Sequence, residues 1–367
     1  MNQKIKTIGL SMLIALWTVL SLSLWFGPKE DYTYAERRKL AQMPEISPMS
    51  VMSGKFMGAF EDFTLDQFPL RDTFRKLKSQ FHYKVLNQSD NNGIYLVGDV
   101  VAKIEYPLNE SSVTYVAERL QWVYDTYLQD TNCKVYASVV PDKGYYLAAQ
   151  NGYPSMDYDA MFTQYRQALP WAAYVDLIDC LDPNDYYRTD THWRQERIYD
   201  AAQRLLEAMD MPTPTLESYT PVTVETPFYG VYFGQTALPM EPEEMVTLQN
   251  TRLSQCRVFD FMTGEYTQVY NMDKLESPDL YDVFLSGGQP LLTIENPNAQ
   301  TDRELIIFRD SFGSAIAPLL VSDYSKVTLV DLRYIPADQL VYYLTFDDQD
   351  VLFLYSTLIL NNGRSLK

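Results

Sequence analysis

A parallel β-sheet covered by helices on both faces is the fold class that this 367-residue chain predicts. Three observations carry the prediction. Short apolar runs alternate with amphipathic helical stretches between residues 113 and 209, and the same alternation returns between residues 305 and 355. Strand–helix alternation of this kind builds α/β sheets buried on both sides. Finally, 46 % hydrophobic against 21 % charged residues suits a folded body, and the length fits one large domain carrying an insertion.

The elements follow in order. After Lys4 and Lys6, residues 7–27 contain no charge, and at about 1.5 Å per residue they are long enough for a ~30 Å hydrocarbon core. A cleaved signal peptide competes with this reading, but no small-x-small site closes the run and Trp25 suits a membrane interface. The expectation is an uncleaved anchor with residues 1–6 as a cytoplasmic tail and the bulk of the chain outside the cytoplasm. Lys29, Arg37, Arg38 and Lys39 leave the positive-inside rule undecided, so the orientation rests on the long C-terminal body, since large domains translocate largely regardless of charge.

Residues 28–90 read as a linker followed by two amphipathic helices, with Phe56, Phe60 and Phe63 on one, and Phe74, Leu77, Phe81 and Val85 on the next. Phe68-Pro69 breaks them, and Asn91-Asn92-Gly93 ends the second. Residues 94–97 and 100–104 around Gly98-Asp99 predict a β-hairpin. From there to residue 367 the α/β body runs as helix 113–127, strand 135–140, helix 161–168, strand 174–178 and helix 198–209. Strands at 305–308, 327–330 and 351–355 and helices from Ser311 and Pro336 complete it. Residues 213–300, rich in Pro, Thr, Glu and Gly, predict a β-rich insertion that closes over one end of the sheet and holds no helix.

Composition excludes some functions. A formal charge of −18 argues against a nucleic-acid partner, which needs basic stripes, and against charge-driven attachment to anionic lipid. The 29 Tyr, 17 Phe and 5 Trp are compatible with sugar stacking, although most must be core. Cys133 and Cys180 fall at opposite ends of their strands and do not bridge. With two His and three unclustered Cys, the ligands of a zinc site are missing, and no cofactor motif appears.

The most informative stretch is Asp190-Thr191-His192-Trp193, because it holds one of the two histidines. An Asp two residues before a His can hold one ring nitrogen and leave the other as a base. Ser311 is the matching nucleophile: the apolar run 305–308 ends there and a helical pattern begins, at the carboxyl end of a strand, where open α/β sheets bind ligands. Two plainer readings stand beside this one. Asp190 or Thr191 can cap the helical run that follows, and Ser311 can be an ordinary N-cap. Together, Asp190, His192 and Ser311 supply orienter, base and nucleophile. Arg309, Arg333, Tyr334, Lys143 and Gly230 are the candidate substrate contacts, set against surface ion pairs for the charged residues and a turn for the glycine.

The segment Tyr186-Tyr187-Arg188-Thr189-Asp190-Thr191-His192-Trp193 resembles the signature of the DHHW-motif proteins and the alginate O-acetylation proteins, and Phe308-Arg309-Asp310-Ser311-Phe312 resembles their serine motif. Echoes lie in Glu36-Arg37-Arg38-Lys39-Leu40, in Asp66-Gln67-Phe68-Pro69-Leu70-Arg71 and in Asn92-Gly93-Ile94-Tyr95-Leu96. The resemblance spans residue 34 to the C-terminus. It implies an SGNH-hydrolase-like, flavodoxin-like sheet and a Ser311–His192–Asp190 triad. It also implies O-acetyl transfer onto exported or cell-surface polysaccharide, with a membrane-bound O-acyltransferase as donor partner. A polysaccharide acetylesterase using the same residues and a catalytically silent glycan-binding or assembly subunit are the alternatives. Thr191 stands where DHHW proteins have a second His, and no Gly–Asn pair for an oxyanion hole is found.

Overall fold

The computed structural model describes residues 3–367, which divide into two compact units. One holds the chain up to Asn92 together with Phe233–Met240, and the other holds Gly93–Tyr232 and Glu241–Lys367.

In the first unit, helix α1 (Gln3–Phe26) is long and apolar enough to cross a membrane. Beyond a short helical turn at Pro48–Met52 come two longer helices, α2 (Lys55–Asp66) and α3 (Arg71–Gln80), separated at Phe68-Pro69 as the sequence predicts. The first two motif echoes meet here. Arg38 makes a bidentate pair with Asp66 at 2.6 and 2.7 Å, and Arg71 reaches Glu36 at 2.6 Å. The Asp66 carboxylate also accepts from the Ala41 amide at 2.9 Å. The Arg38 guanidinium, outweighing partial burial, pulls the Asp66 pKa down to about 2. Gly234 packs so tightly that a Cβ would stand 1.5 Å from the Ala35 carbonyl oxygen.

The second unit is built on an eight-stranded sheet. Before it comes the predicted hairpin, β1 (Ile94–Val97) with β2 (Val100–Lys103), Val97 opposite Val100. The sheet strands in chain order are β3 (Lys134–Val140), β4 (Ala173–Tyr174), β5 (Arg257–Asp260), β6 (Tyr266–Thr267), β7 (Leu291–Glu295), β8 (Glu304–Arg309), β9 (Lys326–Val330) and β10 (Asp350–Ser356). Their spatial order is β6-β5-β7-β9-β8-β10-β3-β4. The run from β9 to β4 is parallel, with Ile307 opposite both Leu329 and Leu352, and Leu352 opposite Tyr136. Alternation along β8 then sends Ile307 to one face and Phe308 to the other.

Each face has its own core, so the expected α/β architecture is present. Ile307, Leu329 and Leu352 pack with Ala201 and Leu205 of α6 (Tyr199–Ala208) and with Ala315 and Ile316 of α7 (Phe312–Leu320). On the other side Phe308 and Phe353, stacked at 4.7 Å, pack with Val113, Val116 and Leu120 of α4 (Glu110–Val123) and Met161 and Phe162 of α5 (Tyr158–Ala168). Burial of each of the larger of these side chains, the alanines aside, contributes about 1.5–3 kcal/mol.

Several expectations change. Instead of only closing over an end of the sheet, the β-rich insertion donates β5, β6 and β7, which extend it antiparallel from β9. Short helices, Val231–Thr236 and Thr251–Gln255, occur where none was expected. The strand expected over 174–178 is only Ala173–Tyr174, because the chain turns into a 3₁₀ element at Ile178–Cys180. From Ala337 to Tyr342 the chain is 3₁₀ instead of α. All three cysteines are free.

Candidate active site

Strand β8 ends at Arg309, and the chain turns through Asp310 and Ser311 into α7. Asp310, buried, fixes this turn: one carboxylate oxygen accepts from the Phe312 amide at 3.0 Å and the other from the Ser356 amide at the end of β10 at 2.8 Å. Ser311 has φ −62° and ψ −23°, ordinary helical geometry, and its side chain makes no capping bond. Its Oγ lies 2.8 Å from His192 Nε2 instead.

His192 stands in a loop closed by the bridge between Tyr186 and Trp193. Asp190, with no exposed surface, brings one carboxylate oxygen 2.6 Å from His192 Nδ1 and 3.0 Å from the His192 amide. A carboxylate only accepts, so Nδ1 carries the proton and Nε2 is left to accept from the Ser311 hydroxyl. The second Asp190 oxygen accepts from the Val231 amide at 2.7 Å. The plainer capping reading does not hold, since α6 begins at Tyr199 behind Ile198, well beyond Asp190 and Thr191.

The sequence separation of 119 between His192 and Ser311 is bridged by Trp193 and Gln195. Trp193 Nε1 donates to the Phe312 carbonyl at 3.1 Å, and Gln195 Nε2 donates to the Ala315 carbonyl at 2.8 Å. Both groups are buried, so the loop docks on the first turns of α7 through satisfied polar contacts in a dry interior. Glu243 holds the loop's other end, accepting from the amides of Arg188 at 2.7 Å and Thr189 at 2.9 Å and from the Thr189 hydroxyl at 2.7 Å.

The five candidate substrate contacts fare differently. Lys143 is buried, and its ammonium donates to the carbonyls of Val101, Tyr187 and Arg188. Burial pulls its pKa down to about 7 against the opposing pull of Asp190, Glu243 and Asp142. It pins the loop before Asp190 and does not face a substrate. Arg309 is wholly buried; it donates to the Gly287 carbonyl at 3.1 Å and the Ser314 hydroxyl at 3.2 Å, with Asp331 at 3.7 Å. At a strand end a charge can point inward as readily as outward, and this one does. Gly230 spends its amide on the Thr189 hydroxyl at 3.0 Å. Its role is close approach, for a Cβ there would stand 2.2 Å from the Thr189 carbonyl oxygen. Arg333 is engaged by Asp331 at 2.6 and 2.9 Å. Tyr334 alone of the five is exposed, with its ring 3.2 Å from the position a Gly288 Cβ would take.

Sequence reasoning missed three residues: Val231, Glu243 and Tyr281. Tyr281 lies in the turn Leu280–Val283, and its ring stacks on the His192 imidazole with centroids 3.9 Å apart and planes 10° apart. A cleft of about 530 Å³ in the first unit, lined by Tyr32, Tyr34, Phe68 and Asp72, contains no residue of the Ser311–His192–Asp190 set.

Residues 173–330 match the family model of the DHHW proteins, a stretch that contains Asp190, His192 and Ser311. No curated protein matches the chain. Among solved structures, it is similar to a DHHW family protein from Eubacterium siraeum at 23 % identity, with a TM-score of 0.62 over 75 % of this chain and 95 % of that one. It is also similar to Bacillus cereus PatB1 at 18 % identity, with a TM-score of 0.61 over 76 % and 99 %. The structure of PatB1 with a sulfonyl adduct gives 17 %, 0.60, 73 % and 96 %. At these identities the likeness is one of fold. With the family match, it bears out the DHHW resemblance expected from the motif around His192.

Proposed function

We propose that this protein is a serine O-acyltransferase, anchored in the membrane by α1 with its second unit outside the cytoplasm, that acetylates a cell-surface or exported polysaccharide. One observation carries the reading: the unbroken chain of contacts from Asp190 through His192 to the Ser311 hydroxyl, at 2.6 and 2.8 Å. The resemblance to the alginate O-acetylation proteins supplies the acyl group, the acceptor class and the membrane-bound O-acyltransferase as donor partner.

In the first half-reaction Ser311 Oγ attacks the carbonyl carbon of the donor acetyl group as its proton passes to His192 Nε2. The new C–O bond forms, the bond to the donor's leaving group breaks, and His192 returns the proton to that group. In the second half a sugar hydroxyl gives its proton to Nε2 and attacks the acetyl-Ser311 carbon; Ser311 departs with the proton. Asp190 keeps the imidazole in the required tautomer throughout. General acid–base help of this kind contributes about 10²–10⁴-fold. The Phe312 amide is spent on Asp310 Oδ1 and the Gly313 amide on the Asp310 carbonyl, which leaves the Ser311 amide as the candidate donor to the tetrahedral oxyanion.

The test is intact-mass measurement of the full chain in detergent after exposure to an activated acetyl ester, beside Ser311→Ala. An adduct of one acetyl group mapping to Ser311, absent from the variant, supports the reading. No adduct on folded wild type overturns it in favour of a silent glycan-binding subunit. With the nucleophile established, product analysis with an acceptor glycan separates transfer from hydrolysis by an esterase.

A further inference from the structure

Beside the contacts that make up the triad, the imidazole has a neighbour of another kind. Asp190 and Ser311 hold the two ring nitrogens but leave the ring free to tilt about the line between them. Tyr281, reaching in from the insertion, removes this freedom. Its ring lies face to face with the imidazole at 3.9 Å and 10°, is itself nearly fully buried, and is backed by Phe284 at 5.0 Å. Phe312 approaches the same imidazole tilted by 54° at 5.2 Å. Among the described residues the Tyr281 hydroxyl has no hydrogen-bond partner, so the ring is held by packing and its face, not its hydroxyl, meets the histidine.

We propose that Tyr281 is a positioning residue that sets the plane of His192 and favours its imidazolium form while Ser311 gives up its proton. The proposal rests on the triad reading above. A phenol face carries the negative end of the ring quadrupole, and a cation centred over it is stabilised, more so away from water. Neutral imidazole gains less from the same stack, so the contact is worth most in the charged intermediate, when the base has taken the proton. Burial, with Tyr187, Asp190, Asp279 and Asp310 nearby, holds the Tyr281 phenol well above the ordinary tyrosine range, so the ring stays neutral at any working pH. The titratable and charged groups around the pair are Asp190 on the histidine's own loop, Ser311 and Asp310 from the turn after β8, and Tyr187 and Asp279 beside the phenol.

The chain lends itself to a direct test, because His82 is its one other histidine. Full-length protein in detergent, labelled at histidine, gives two imidazole signals whose pH titrations report His192, with His82 as internal reference. Tyr281→Phe keeps the ring face and is expected to leave the His192 pKa and the rate of Ser311 acetylation near wild type. Tyr281→Leu is expected to lower the His192 pKa by about half a unit and to slow acetylation about tenfold, the loss falling on kcat more than on KM. A leucine variant with an unmoved His192 pKa, or with wild-type acetylation, overturns the proposal. Tyr281→Trp, which restores an aromatic face, must recover the pKa; if it remains folded and does not, the proposal also fails. Should wild type take up no acetyl group, the triad reading falls, whereas the titration still decides whether the stack stabilises the imidazolium.

Discussion

Gly230→Ala adds one methyl group and tests how the loop geometry makes the base. That methyl would stand 2.2 Å from the Thr189 carbonyl oxygen, 2.3 Å from its carbon and 2.4 Å from the Asp190 amide nitrogen. All three are backbone atoms, with no rotamer by which to escape. Restoring ordinary contact requires the 189–190 backbone or the 230–231 backbone to retreat by about 1 Å, and crowding of this kind costs about 1–3 kcal/mol. The retreat also stretches the Val231 amide away from Asp190, now 2.7 Å, a bond to a charged group worth about 1.5–3 kcal/mol. For a domain of this size the melting temperature should fall by about 2–4 °C per kcal/mol. A 1 Å error at the carboxylate reaches the His192 imidazole through the one bond to Nδ1, so Ser311 acetylation should slow about a hundredfold. Differential scanning calorimetry and a time course of intact mass report the two quantities. Acetylation at the wild-type rate in the alanine variant would refute the argument, because it would show that the contact of Gly230 with Thr189 does not place Asp190.

Other outcomes follow from the same geometry. Ser311 has unstrained helical dihedrals and no capping bond, so Ser311→Ala should abolish acetyl uptake while its melting temperature stays within about 2 °C of wild type. Asp190→Asn should lower the acetylation rate about 10³–10⁴-fold, because the amide can present its NH₂ to Nδ1 and favour the wrong tautomer; a loss under tenfold would contradict the assignment. Lys143→Met removes a donor shared by three carbonyls, of which that of Arg188 keeps the Val101 amide at 2.8 Å, and should cost about 1–3 kcal/mol by urea unfolding, the scale of leaving a buried acceptor unsatisfied. Asp66 titrates at about 2 when folded, below its unfolded value of about 3.9. Its pairing with Arg38 therefore stabilises fully above about pH 4 and is lost as pH falls through 2. The stability gap between wild type and Arg38→Gln should shrink over that window, and a gap constant with pH would count against it.

The contact chain from Asp190 through His192 to Ser311 was legible because the chain has so few histidines and because strand ends bring sequence-distant residues to one edge. The parallel half of the sheet was legible for the related reason that β-branched runs between amphipathic stretches leave little choice of topology. Burial direction was not legible. Arg309, Lys143 and Gly230 each follow or approach the correct sheet edge, yet a sequence does not say whether a charge there turns outward to a ligand or inward to carbonyls. Both buried cations turn inward because loop carbonyls need donors: those of Val101, Tyr187 and Arg188 for Lys143, and that of Gly287, with the Asp331 carboxylate nearby, for Arg309. Tyr281 left no signal at all: it is one of 29 tyrosines, in a turn without periodicity, and what places it is the tertiary path of the insertion. The antiparallel strands were hidden similarly, since β5, β6 and β7 are short and separated by turns of no fixed spacing.

The two ends of the eight-stranded sheet have a consequence for how copies of this protein behave together. Its outermost strands, Ala173–Tyr174 and Tyr266–Thr267, are stubs of two residues. On each, an arginine lies over the edge tyrosine: Arg166 at 4.1 Å from the Tyr174 ring centre and Arg257 at 4.3 Å from that of Tyr266. An incoming strand would find almost no ladder to extend and would have to desolvate a guanidinium to reach it. The long, apolar middle of the sheet is thus fenced at both margins against edge-to-edge fusion, and protein held in detergent should begin to associate through this sheet only when one of those two arginines is replaced by an apolar residue.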